Sequence, residues 1–178
     1  VTKYLIGQHT TAEGNYVIPG FYGTSSLSNG EIALLPRGGS DLTGAIVAAS
    51  VNAAVYENWT DQPGIRRCDP QIFSGKEVQG IGNMTYEESR ELTYSGFGIL
   101  HDQAMGPVME KNIPIHVRGT NNPEDPGTVI GSEYEQDCPV RGIAGKSGFV
   151  QIDVRKNMMN TEVGFGARLF DIFAHYDC

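Results

Sequence analysis

Apolar residues occur along the chain in short blocks, separated by glycine, proline and polar turns. Tyr4-Leu5-Ile6 reads as the end of a strand or helix, and Tyr16-Val17-Ile18 as a strand followed by a Pro-Gly turn. The Ser/Asn/Gly-rich stretch 24–30 reads as a hairpin tip, and 31–35 as its return strand. Across 40–54, apolar and small residues occupy nearly every face, which predicts a buried helix rather than an amphipathic one. Residues 55–59 read as the next strand. Strand, helix and strand over 31–59 predict a βαβ unit, and hence an α/β layered fold.

Turn residues dominate 61–82. In Thr85-Tyr86-Glu87-Glu88 a hydroxyl is followed three residues later by a glutamate, the spacing of a capping box, so a helix starts there and runs to about Tyr94. Gly96 and Gly98 interrupt it. A second helix is expected over 104–111, a strand over 113–117, a Pro/Asn turn over 121–127 and a short strand over 128–130. The polar, acidic residues 132–137 read as a linker, so 1–131 is expected as one domain and 138–178 as the start of another. Residues 140–143 and 149–154 alternate like paired strands. Residues 160–176 read as an amphipathic helix with Val163, Leu169, Phe170 and Phe173 inward. That order is the opening of a small α+β unit with a sheet edge left unpaired.

Composition narrows the classes. The formal net charge of −8, with no run of basic residues, argues against a nucleic-acid partner, because phosphate contacts dominate such affinity. An anionic substrate then needs a local counter-charge from an arginine, a helix N-terminus or a metal ion. No apolar run reaches the roughly 18–20 residues of a membrane span. Three widely spaced cysteines argue against a disulfide framework and fit a reducing, cytoplasmic setting. Four histidines show no metal spacing, so no metal site is expected. Gly142-Ile143-Ala144-Gly145-Lys146-Ser147 has two residues where a phosphate loop needs four, and reads as a hairpin turn.

Two stretches carry candidate chemistry. Leu35-Pro36-Arg37-Gly38-Gly39-Ser40-Asp41 joins a strand end to a helix start, with Ser40 or Asp41 placed to cap the helix. Its glycines permit close approach of a ligand, and a helix N-terminus attracts anions. The plainer alternative is an ordinary glycine turn. Trp59-Thr60-Asp61-Gln62-Pro63-Gly64 likewise leaves a strand with a hydroxyl, a carboxylate and a tight turn. Ligands of α/β sheets bind outside the carboxyl ends of strands, so the two stretches could form one site.

Five segments in order carry a resemblance. They are Val17-Ile18-Pro19-Gly20-Phe21-Tyr22-Gly23, then Arg37-Gly38-Gly39-Ser40-Asp41-Leu42-Thr43, then Trp59-Thr60-Asp61. Gly96-Phe97-Gly98-Ile99-Leu100-His101 follows, and finally Ile113-Pro114-Ile115 with the stretch 122–128. Together they resemble the amino-acid kinase family, and within it the aspartokinases. The stretch from Lys156-Asn157-Met158-Met159-Asn160 to Gly164-Phe165-Gly166 resembles the start of an aspartokinase regulatory ACT domain.

The resemblance implies a three-layer amino-acid kinase fold, here its C-terminal nucleotide-side part, followed by the beginning of an α+β ACT domain. It implies transfer of the γ-phosphoryl of ATP, with Mg2+, to the side-chain carboxylate of L-aspartate. Arg37 corresponds to a carboxylate grip, Phe21 and Ser40 to other substrate-site positions, and Asp41 to the carboxylate that organises the catalytic centre. Thr60 and Asp61 correspond to the nucleotide-binding strand end. Met159, Glu162 and Phe165 fall near the effector segment, which in the family takes lysine or threonine, and a homo-oligomer through ACT domains is implied. The chain departs from the family in lacking a Lys-Phe-Gly-Gly stretch and in carrying Arg66, Gln71, Gly98 and Asp102 at variable positions. It is therefore read as a fragment, inactive by itself. Two alternatives stand beside this reading: a kinase for glutamate, acetylglutamate or a nucleotide, and an amino-acid-sensing module without catalysis.

Overall fold

The computed structural model describes residues 14–25, 30–69, 72–73, 78–96, 98, 100–134 and 138–176. The Tyr4-Leu5-Ile6 block, Gln71, most of the 24–30 hairpin tip and residues 135–137 of the expected linker lie outside the described residues. The chain divides into two units, Val1–Lys146 and Ser147–Cys178. This division falls C-terminal to the linker expected at 132–137.

In the larger unit, β1 (Tyr22–Thr24) and β2 (Ile32–Leu34) form an antiparallel hairpin with Tyr22 opposite Leu34. The strand expected at Tyr16-Val17-Ile18 does not form; Val17 is almost wholly exposed there. The helix α1 spans Gly39–Val51 and leads to β3, Tyr56–Thr60. After the turn-rich stretch come β4 (Asn83–Thr85), α2 (Tyr86–Tyr94), α3 (Asp102–Met109), β5 (Ile115–Gly119) and β6 (Thr128–Gly131).

A four-stranded sheet has the order β3-β5-β6-β4. β3 runs parallel to β5 and β4 parallel to β6, while β5 and β6 are antiparallel. The βαβ unit expected over 31–59 is thus not made. β2 stays with β1, because the Phe21 carbonyl accepts the Leu35 N–H at 2.9 Å and extends the hairpin to the edge of the turn. The parallel crossover is instead β3 to β5, by way of α2 and α3, which keeps the fold in the α/β class.

The core lies between this sheet and its helices. Alternation along β5 buries Ile115, Val117 and Gly119 and leaves His116 and Arg118 half-buried on the other face. Ile130 and Met84 continue the buried layer, and Ala45, Ala48, Ala104 and Val108 fill the contact of α1 with α3. Alanines allow these helices a close approach. α1 is only partly buried along its length, less than its sequence implies. Thr85 caps α2 as expected: its Oγ1 accepts the Glu88 N–H at 3.1 Å, and Glu88 Oε2 accepts the Thr85 N–H at 2.8 Å.

Residues 138–146 belong to this larger unit and form no strand. Their polar groups are taken by loops instead of a neighbouring strand. Ile143 N–H donates to the Arg67 carbonyl at 2.7 Å, and the Arg141 guanidinium to the Asn83 carbonyl at 2.9 Å. Accordingly 142–147 is not a hairpin turn.

In the smaller unit, 149–154 is irregular rather than a strand. A short 3-10 turn, Met159–Thr161, precedes α4, Phe165–His175, so the helix starts later than expected. Leu169 and Phe173 are half-buried, whereas Val163 and Phe170 of the expected inner face are 95% and 70% exposed.

Candidate active site

The turn before α1 is shaped by two glycines. Gly38 has φ 84° and ψ 4°, and it occupies the N-cap position. The expectation that Ser40 or Asp41 caps the helix is therefore corrected: both sit inside the first turn, and no side chain caps it. The Gly38 carbonyl takes the N–H groups of Asp41 and Leu42, at 3.1 and 3.3 Å. A Cβ on Gly38 would stand 2.3 Å from His101 Cδ2, so the imidazole packs where only glycine leaves room. Phe21 reaches the same turn with a positive φ of 76°, a conformation costing roughly 1–3 kcal/mol. Its N–H donates to Thr43 Oγ1 at 3.2 Å, and that hydroxyl donates to the Gly39 carbonyl at 2.8 Å.

Asp41 is the acidic residue of the first helical turn, where the helix dipole favours negative charge. Its Oδ1 accepts from Asn58 Nδ2 at 3.2 Å, and its Oδ2 from the His101 backbone N–H at 3.4 Å. Tyr56 Oη donates to the Asp41 carbonyl at 3.1 Å and accepts from Asn58 Nδ2 at 3.2 Å. Burial pushes the Tyr56 phenol above its ordinary pKa; the Asn58 hydrogen bond opposes this and the Asp41 charge adds to it. The phenol therefore remains a neutral donor.

Above this network opens a cavity of about 880 Å³. Arg37, Gly38 and Asp41 line it from the turn, Arg90 and Glu91 from α2, and Gly98 and His101 from the approach to α3. Arg37 is exposed and makes no ion pair among the described residues. Its five N–H donors can therefore meet a carboxylate or phosphate in paired fashion.

The second stretch lies at the carboxyl end of β3. Thr60 Oγ1 donates to Asp61 Oδ1 at 3.1 Å, and the Thr60 carbonyl accepts the Thr120 N–H and hydroxyl at 2.8 and 3.0 Å. Asp61 remains exposed, with a carboxylate able to accept from hydroxyl or amine groups. Thr60 and Asp61 do not line the cavity. What connects the two stretches is β3 itself, whose Tyr56 and Asn58 hold Asp41 and whose next same-face residue is Thr60.

Of the remaining candidates, Ser40 is exposed next to the Phe21 turn; a Cβ on Gly20 would stand 3.5 Å from Ser40 Cα. In the smaller unit Glu162 pairs with both Lys156 and Arg168, the Lys156 ammonium lies 5.3 Å from the centre of the Phe165 ring, and Met159 is half-buried. Glu162 is thus held by this chain's own cations. Among the described residues no group of three or more His, Cys, Asp or Glu side chains could hold a metal ion. Sequence reading passed over Asn58, Tyr56 and His101. The signal for Asn58 was present: an amide in a strand expected to be buried must find polar partners.

The sequence profile of the amino acid kinase family matches residues 8–119. Aspartokinase 3 of Bacillus subtilis is 38% identical over 92% of this chain and 36% of its own length. The crystal structure of Clostridium acetobutylicum aspartate kinase, described as an allosteric enzyme, superposes with a TM-score of 0.78 at 39% identity, covering 98% of this chain and 40% of that one. Escherichia coli aspartokinase III, in complex with aspartate and ADP, gives a TM-score of 0.69 at 27% identity over 89% of this chain and 34% of that one. Its complex with lysine and aspartate gives 0.60 at 29% identity, over 88% and 34%. The chain spans about a third of the length of these relatives.

Proposed function

Because the chain belongs to the amino acid kinase family, we propose that it serves an aspartokinase, transferring the γ-phosphoryl of ATP to the side-chain carboxylate of L-aspartate. The observation that carries the proposal is the Arg37 guanidinium, which makes no ion pair among the described residues and shares one cavity with Asp41 at the N-terminus of α1. The likeness to an enzyme solved with aspartate and ADP supports the choice of substrates.

In this reading Arg37 grips the α-carboxylate of aspartate by paired, charge-assisted hydrogen bonds. Ser40 and Phe21 border the same substrate. One oxygen of the side-chain carboxylate attacks the γ-phosphorus, the bond to the β-phosphate oxygen breaks, and ADP and 4-phospho-L-aspartate result. The nucleophile is already ionised, so Asp41 has no proton to remove. It acts as a fixed charge that orients what enters the cavity, in a reaction governed by positioning and electrostatics. Thr60 and Asp61 are assigned to the nucleotide. ATP enters as its magnesium complex, and magnesium is held mainly through the phosphates with one or two carboxylates.

A lysine or threonine effector site at Met159, Glu162 and Phe165, and assembly through ACT domains, belong to the same proposal. The likeness to an enzyme solved with lysine supports the effector class. The test is a panel of acceptors offered to the complete gene product with MgATP: aspartate, glutamate, acetylglutamate and uridylate. Release of ADP with aspartate alone is expected. Turnover on another acceptor, or on none, overturns the proposal.

A further inference from the structure

We propose that Asn58 is a positioning residue: through it, strand β3 fixes the direction of the Asp41 carboxylate, an inference that rests on the kinase reading above. Asn58 is 8% exposed, and its amide has two N–H donors. Both are used at 3.2 Å, one on Asp41 Oδ1 and one on Tyr56 Oη. Tyr56 in turn donates to the backbone carbonyl of Asp41. The ring of hydrogen bonds thus closes on one residue, holding its side chain and its main chain together.

The second carboxylate oxygen is held by the His101 N–H, so turning the carboxylate breaks contacts on both sides. The close approach is built into the sequence: a Cβ on Gly44 would stand 2.8 Å from the Tyr56 ring, which therefore lies flush against α1. The platform is stiff as well, because all five residues of β3 are paired in parallel register with β5. A site carried on a paired strand is held more closely than one on a loop. The Asn58 amide is spent on a carboxylate that lines the cavity.

The titratable groups around Asp41 are Tyr56 on β3, Arg37 in the turn, His101 before α3, and Arg90 and Glu91 on α2. Asn58→Leu removes the donor, and Asn58→Asp replaces it with a second acid that donates only when protonated. Steady-state kinetics on the complete gene product, with thermal melts to verify folding, should separate the roles. Asn58→Leu is expected to lower kcat about tenfold with the aspartate KM within about twofold, as expected of misplacement rather than lost binding. Asn58→Asp is expected to lose more at about pH 8 and to regain several-fold toward about pH 6, where an introduced acid beside another carboxylate can hold a proton. Unchanged kcat in both variants overturns the proposal. If Asn58→Leu does not fold, Asn58→Asp decides alone, and a pH profile parallel to the unsubstituted enzyme overturns it. An unsubstituted gene product with no aspartate-dependent turnover overturns the kinase reading and this inference with it; normal turnover with indifferent variants overturns only the role of Asn58.

Discussion

At the residue scale, the site depends on a few positions where one atom more or less matters. Gly38 combines φ 84° with an imidazole that leaves no space for a Cβ. Gly38→Ala is expected to cost at least about 2 kcal/mol, from left-handed strain and from overlap with the His101 ring. Urea unfolding of Gly38→Ala, His101→Ala and the double variant checks this. The double variant should recover only the ring's part of the overlap, because the Cβ left at position 101 would still stand 2.9 Å from the new one, and should retain the strain part, so the two substitutions should be partly non-additive. Tyr56 adds a dependence on pH. Burial raises its phenol above the ordinary tyrosine range, so the stability it contributes is fully present below about pH 10 and is lost as pH rises through its folded value. Tyr56→Phe should flatten that alkaline loss in melts taken between about pH 9 and 11.

At the element scale, the cap of α2 was legible in four residues. The Thr85-to-Glu88 spacing named a reciprocal pair of hydrogen bonds, and both are present. Thr85→Ala should lower stability by about 1 kcal/mol in denaturant titration, and Thr85→Ser should restore most of it. Strands were expected at 113–117 and 128–130 and formed as β5 and β6; along β5 burial on one face imposes a period of two. Pairing was not legible. Ile32-Ala33-Leu34 is apolar enough for a sheet interior, yet it ends in a two-stranded hairpin, since strand partners are chosen by tertiary contacts absent from a local pattern. The alternation in 149–154 likewise names a strand that has no partner to pair with among the described residues. The turn at Arg37 to Asp41 was recognisable by composition. The ring through Asn58, Tyr56 and Asp41 was not, because it joins residues fifteen and seventeen apart across a helix.

At the scale of the whole molecule, a chain of net charge −8 offers an anion its welcome only locally. An exposed arginine without an ion pair among the described residues, and a helix N-terminus, supply that welcome in a cavity of about 880 Å³ on the larger unit. The smaller unit has no buried residue among those described in α4 or the preceding 3-10 turn. Its stability should be correspondingly low. Limited proteolysis of the 178-residue chain is expected to cut first within 147–178 and only later within 39–131; the reverse order would show that burial misjudges it.

The most direct test of the account is the dependence of turnover on aspartate at saturating MgATP, for the complete gene product and its Arg37→Ala variant. A charge-assisted carboxylate grip is worth roughly 1.5–3 kcal/mol, so the variant should raise the aspartate KM about tenfold or more while kcat changes little. ADP release that ignores aspartate, or an aspartate KM left unmoved by the loss of Arg37, would contradict it.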